Sequence, residues 1–151
     1  MQIRSAEPED VPALARMNAE LVEDQGSSSQ VPIDELEERF RVWIRTGEYY
    51  IDMFDESGSA FGYAVYQVRG DYYFPAQRVV YLRHFFIERR YRGQGWGTVA
   101  FETLTAQRFP KEHAVALDVV STNPIGQLFW EKLGFKPYFT EMKRSWPPLR
   151  S

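Results

Sequence analysis

The chain has 151 residues, a mass of 17.7 kDa and a net charge of −3. That is enough chain for one domain with a sizeable core, and its mild acidity excludes a generally basic nucleic-acid coat. The absence of cysteine removes disulfides, thiol nucleophiles and cysteine-ligated metal sites, and two histidines, His84 and His113, leave little for a histidine-rich one, so no metal is expected.

Met1 to Ser5 leads straight into strand-like sequence with no signal-peptide core. No apolar run approaches the ~20 residues of a membrane span, so a cytoplasmic protein is expected. Ile3 and Arg4 begin a short strand. In Ser5-Ala6-Glu7-Pro8-Glu9-Asp10 the proline suits a first helical turn and the acids suit the positive end of the helix dipole. Val11, Leu14, Ala15, Asn18, Leu21 and Val22 follow at helical spacing. Residues 25–30, rich in glycine and serine, read as a loop inside one domain spanning 1–151. A second helix starts near Pro32. Ile33, Leu36, Phe40, Trp43 and Ile44 make its apolar stripe, Asp34, Glu35, Glu37 and Glu38 a charged face, and Gly47 its end. Tyr49 to Phe54 and Ala60 to Val68 form a hairpin, and Arg78 to Glu88 is a long strand rich in aromatic and β-branched residues. A glycine-rich turn follows, then a helix from about Gly95 to Arg108 with Val99, Ala100, Phe101 and Leu104 inward. The near-continuous apolar run Ala114 to Val120 predicts a central strand covered on both faces. A helix at Pro124 to Leu133 and a last strand or hairpin in Lys136 to Lys143 complete the order β-α-α-β-β-β-α-β-α-β(β). This is an α/β fold with a mixed sheet flanked by helices.

The most informative segment is Arg92-Gly93-Gln94-Gly95-Trp96-Gly97-Thr98, between the long strand and the next helix. Three alternate glycines strip Cβ atoms from one short stretch, so its backbone can take positive φ and approach a ligand closely. Its N–H groups form a nest, the helix N-terminus adds partial positive charge, and Arg92 adds a full one. These are the parts that hold a pyrophosphate. The plain alternative is a tight strand–helix connection. The glycines do not spell Gly-x-Gly-x-x-Gly and the Walker lysine is missing, so neither NAD nor a P-loop nucleotide is expected. Downstream, Asn123 at an N-cap, Pro124 at the first helical position and Gly134 beyond the last turn punctuate one helix; capping alone accounts for all three.

Together these segments resemble the GNAT superfamily of N-acetyltransferases. Arg92 through Gly97 matches its acetyl-CoA signature, Arg/Gln-x-x-Gly-x-Gly/Ala, and Asn123 to Phe135, ending Phe129-Trp130-Glu131-Lys132-Leu133-Gly134-Phe135, is similar to its closing helix. The resemblance implies a GNAT-like mixed sheet with acetyl-CoA lying in a V-shaped gap between the long strand and the next central one. Gly93, Gln94, Gly95, Trp96, Gly97 and Thr98 would hold the pyrophosphate beside Arg92. The backbone at Phe85, Phe86 and Ile87 would pair with the pantetheine like an added strand, and Asn123 matches a cofactor-contacting position. By the same resemblance an amine attacks the thioester directly. The protein then positions the reactants, takes a proton from the ammonium, stabilises the oxyanion and reprotonates the CoA thiolate.

The chain departs from the family at two places. Trp130 stands where many members carry a tyrosine that protonates the thiolate. An indole N–H keeps its proton near neutral pH. Either another group serves or the thiolate leaves as such, a thiol titrating near pH ~8.5. Trp130 itself either flanks the cofactor or packs its helix. Tyr81-Leu82-Arg83-His84 is similar to the stretch in which polyamine acetyltransferases carry two adjacent acids, and an arginine there repels a polyamine. His84 is the leading candidate for general base, or else a satisfied histidine on the sheet. Glu88 acts through water or pairs with Arg89, Arg90 or Arg92, and Asp118 is a polar interruption that places a carboxylate in the gap. The acidic second helix favours a cationic acceptor or is simply solvated. Tyr72, Tyr73 and Phe74 line the acceptor pocket or support a homodimer. The expected activity is acetyl transfer to the primary amine of a small molecule, with no nucleic-acid or membrane partner. A non-catalytic acyl-CoA-binding module and a peptide or protein N-acetyltransferase are the alternatives.

Overall fold

A computed structural model describes residues 1–26 and 30–147. Five strands, β1 (Gln2–Ser5), β2 (Tyr50–Glu56), β3 (Ser59–Gly70), β4 (Arg78–Ile87) and β5 (Ala114–Ala116), lie side by side in chain order. All neighbours are antiparallel except β4 and β5, which run parallel. A parallel pair needs a crossover, and here it contains α3 (Trp96–Arg108). The other helices are α1 (Val11–Asp24), α2 (Ile33–Thr46) and α4 (Pro124–Lys132).

Side-chain alternation divides the sheet between two cores. Tyr63 and Val65 of β3 join Ile51, Met53 and Phe86 beneath Leu14 and Met17 of α1 and Phe40 and Trp43 of α2. Ala64 and Tyr66 face the other way, with Leu82 and Ile87, against Ala100 and Leu104 of α3. Burying each large side chain stabilises the fold by about 1.5–3 kcal/mol. Gly47 ends α2 in the left-handed region, at φ +69°, with its N–H donating to the Trp43 carbonyl over 2.9 Å. Because only glycine takes that conformation without a steric penalty, Gly47→Ala is expected to lower unfolding free energy by about 1 kcal/mol, measured by urea denaturation.

Several expectations need correction. The run Ala114 to Val120 is not a central strand: only Ala114–Ala116 pairs, with β4, and β5 forms the sheet edge. Val115 and Leu117 pack on the α3 side of the sheet, so the apolar run reflects one covered face rather than two, a distinction periodicity does not make. Lys136 to Lys143 forms no strand. Val99 is 48% exposed, not inward, and α3 starts at Trp96 rather than Gly95. Ile33 is also exposed, at the first turn of α2. Within the predicted loop 25–30, residues 27–29 lie outside the described residues.

Candidate active site

Two irregularities in β4 create a gap. First, pairing with β5 stops at Tyr81↔Ala116, while β4 continues to Ile87. From Leu82 onward its β5-side edge is open over six residues, roughly 20 Å at strand rise. Second, the register with β3 skips from Tyr66↔Leu82 to Val65↔His84, leaving Arg83 unopposed. Such a bulge puts two successive side chains on one face. Arg83 stacks on Trp43 and Tyr49, and His84 packs among Phe40, Trp43 and Tyr63. Phe85 points to the other face, among Phe54, Phe101, Phe129 and Trp130. Phe86 and Ile87 are buried, on opposite faces.

At the far end of the open edge the chain turns into α3. Gly93 and Gly95 have φ of +73° and +86°, and a Cβ on either would meet nothing within 4 Å. Gly97 serves differently, since a Cβ there would come 3.1 Å from the Phe129 ring of α4. Among the described residues, the N–H groups of Gly93, Gln94, Gly95, Trp96, Gly97 and Thr98 meet no protein acceptor; the first bond of α3 is Val99 N–H to the Gly95 carbonyl, 3.1 Å. Six successive free donors at a helix start favour an anion. The Gln94 amide donates to the Arg90 carbonyl (2.9 Å), and Trp96 packs on Phe61 and Tyr91. Arg92 faces away from the nest: its Nε donates to the Ile87 carbonyl and its Nη2 to Asp24, both at 2.7 Å. Asp24 and Glu23, which the sequence reading did not single out, also hold Arg89. The end of α1 therefore clamps the turn. Glu88 donates its N–H to the Phe61 carbonyl and pairs its carboxylate with Arg90, 3.0 Å away.

On the α2 side, His84 is only 9% exposed, with Nδ1 3.1 Å from the Tyr63 hydroxyl. Burial, then the charges of Arg39 and Arg83, push its pKa down to about 3. It is a neutral imidazole at every physiological pH. Burial drives the Tyr63 phenol up. Arg39, Trp43, Tyr49 and Tyr63 were not anticipated as site residues. Trp43 in the α2 stripe and Tyr63 in a β3 strand pattern read as ordinary core, Arg39 and Tyr49 carried no signal, and only the bulge brings Arg83 to them.

Asp118 follows β5 by two residues and accepts a hydrogen bond from the Tyr81 hydroxyl, 2.7 Å. Tyr81 belongs to the last β4–β5 pair, so this couple sits at the vertex of the gap. Burial and that bond push the Tyr81 phenol up to about 12. Asn123 caps α4, its Oδ1 accepting from Gly126 N–H at 3.0 Å. Trp130 packs edge-on to Phe85, Phe101, Phe129 and Phe135, with centroids 4.8–5.4 Å away. Glu37 and Glu38 pair with Arg41 along α2. The Tyr72–Phe74 loop packs on the tail, with Tyr72 stacked on Phe139 at 4.5 Å and Tyr73 edge-on to Tyr138. A cavity of about 470 Å³ opens at the start of β2, lined in part by Trp43 and Tyr49. Its buried carboxylate, Asp52, is already engaged by the Tyr66 hydroxyl (2.5 Å) and Arg108 (3.3 Å).

A five-stranded mixed sheet with an open strand edge that leads into a glycine-rich turn at a helix start frames the candidate site. The family model for the acetyltransferase (GNAT) family matches residues 15–135, and the chain belongs to that family of N-acetyltransferases. Three solved structures share the fold. A possible acetyltransferase from Clostridium difficile 630 gives a TM-score of 0.78 at 14% identity, covering 95% of this chain and 95% of that one. A predicted acetyltransferase from Clostridium acetobutylicum, solved with acetyl-CoA, gives 0.72 at 19% identity, covering 94% and 95%. An aminoglycoside N-acetyltransferase in complex with CoA gives 0.75 at 18% identity, covering 95% and 93%. At these identities the likeness is one of fold. No curated protein matches the chain by sequence.

Proposed function

We propose that this chain binds acetyl-CoA along the open edge of β4 and transfers the acetyl group directly to the primary amine of a small molecule. The observation that carries the reading is the continuity of Leu82–Ile87, an unpaired strand edge, with six free N–H donors at Gly93–Thr98. The diphosphate rests on the turn, where α3 adds its dipole and Arg92 fixes the loop. The pantetheine hydrogen-bonds the backbone of Phe85 and the Ile87 N–H as an added strand would; the Ile87 carbonyl is held by Arg92, and the Phe86 backbone groups face β3 between them. The Asn123 amide nitrogen, left over from capping, and the Trp130 face border the same path. This orientation directs the thioester toward the vertex at Tyr81 and Asp118.

The amine lone pair attacks the thioester carbonyl, the C–S bond breaks, the ammonium proton leaves and the CoA thiolate departs. Of the acid–base candidates, Asp118 lies at the vertex and takes that proton through water. His84, too weak a base to hold a proton, orients the amine as a neutral hydrogen-bonding partner. Glu88, at the diphosphate end and paired with Arg90, braces the turn. With an indole at 130, the thiolate leaves unprotonated or takes its proton from solvent.

Acetyl-CoA at a hundred times its dissociation constant is expected to add about 2.7 kcal/mol of stability, or roughly 5–10 °C in a thermal melt of a chain this size. No shift at millimolar acetyl-CoA contradicts the reading. A shift without thiol release across a broad amine panel supports a non-catalytic acyl-CoA module instead.

A further inference from the structure

At the vertex end of the open edge the charge balance is unusual. The guanidinium carbons of Arg39 and Arg83 lie 5.1 and 5.0 Å from the centroid of the same Trp43 ring. Two groups so placed are at most about 10 Å apart. Among the described residues neither lies within 4.0 Å of a carboxylate, as is also true of Arg16, Arg45, Arg69, Arg78 and Arg144; what sets this pair apart is that both stack on one Trp43 ring. Arg39 donates to the buried Asn18 side chain, and Arg83 donates to the Tyr49 hydroxyl over 2.9 Å. The Arg39 Nε is buried with no acceptor. Arg83 is exposed and Arg39 half-buried, and a folded protein rarely leaves a buried donor such as the Arg39 Nε unmet.

We infer that Arg39 and Arg83 receive an anionic group of the acceptor, so that the substrate is a small primary amine bearing a carboxylate or a phosphate. This rests on the acetyltransferase reading above. The coenzyme's diphosphate does not fill the role, because its turn lies at the opposite end of the open edge. The planar guanidinium forks suit an oxyanion, and Trp43 and Tyr49 shield them from water on one side. The same two cations help the chemistry. A positive field disfavours the ammonium form of a bound amine and so favours the nucleophilic one.

The test measures binding to the CoA-saturated protein, so that turnover is not required. N-acetyl derivatives of the common amino acids are each compared with their amides, and N-acetyl-2-aminoethyl phosphate with N-acetylethanolamine. At least one anionic member is expected to bind 10-fold or more tightly than its neutral match, and the carboxylate and phosphate arms tell the two chemistries apart. Arg83→Gln should lower that preference about 10–100-fold, the worth of a charge-assisted hydrogen bond, and Arg83→Lys should restore much of it. Arg39→Gln provides a second, independent variant. CoA affinity should be unchanged in Arg83→Gln. The inference is overturned if neutral members bind equally well throughout, if the preference survives both glutamine variants, or if Arg83→Gln loses CoA affinity 10-fold, which would make the anion the coenzyme's own. Failure of the acetyltransferase reading is distinct, because CoA itself would then give no stabilisation.

Discussion

Replacing Gly95 with aspartate is expected to weaken CoA binding about 100-fold while leaving the fold intact. Gly95 is the N-cap of α3, at φ +86°, with open space around its missing Cβ. Aspartate is among the few side chains that tolerate the left-handed region. The substitution therefore costs about 1–2 kcal/mol of stability, small against the whole fold. Its carboxylate, however, would stand roughly 5 Å from a diphosphate held on the turn, where one pair of like charges at an effective dielectric of ~20 repels by about 3 kcal/mol. Gly95→Asn has the same shape without the charge and should lose no more than about 10-fold in affinity. Titration calorimetry with CoA on the two variants reads the difference, which should narrow as salt is raised. Equal affinities for Asp and Asn would mean that no anion sits at Gly95.

The second large effect concerns stability against pH. In the unfolded chain His84 takes up a proton near pH ~6.5; in the folded chain it does so only near pH 3. Between those values the unfolded state carries a proton that the folded state lacks. Stability from this residue is complete above pH ~6.5 and falls by about 1.4 kcal/mol per unit as pH drops toward 3. At pH 5 the loss is about 2 kcal/mol. Tyr63, Arg39 and Arg83 are the polar groups that face the ring, and none of them accommodates an imidazolium. In a His84→Gln variant, urea unfolding measured at pH 7.5 and pH 5.0 should show a smaller drop than the parent by about 2 kcal/mol. Parallel pH dependence in the two proteins would mean that His84 titrates normally in the fold. The same result would return it to candidacy as a general base, so the measurement also bears on the catalytic assignment.

The first four strands, the helices and the glycine-rich turn were legible because each is written in local chemistry. Alternate glycines at 93, 95 and 97, the Asn123–Pro124 cap and the glycine at 47 are short-range signals with one physical meaning each. What the sequence could not disclose depends on tertiary register. Arg83 and His84 occupy neighbouring places in an apparently regular strand, and period-two logic sends them to opposite faces. The bulge against Tyr66 and Val65 sends them to the same one, and that brings Arg39 of α2 to their side. Arg92 shows the same limit. Its position next to the glycines suggested a full charge beside the pyrophosphate, and the pattern gave no sign that Asp24, 68 residues away in sequence, draws its guanidinium into the clamp on α1. The run Ala114 to Val120 misled for a different reason, since an edge strand with one face under helices has the same composition as a central one. Gly62 offered an overlooked clue: a Cβ there would fall 2.2 Å from the Phe86 carbonyl, and a glycine inside a strand marks just such a close backbone approach.

Amide hydrogen exchange with and without saturating CoA traces the coenzyme's path residue by residue. CoA is expected to slow exchange in two stretches, the free N–H groups of Gly93–Thr98 and the open edge of β4 between Leu82 and Ile87, while β1 and β2 remain as they were. Unchanged exchange at Gly93–Thr98, in protein that demonstrably binds CoA, would place the coenzyme elsewhere and contradict it.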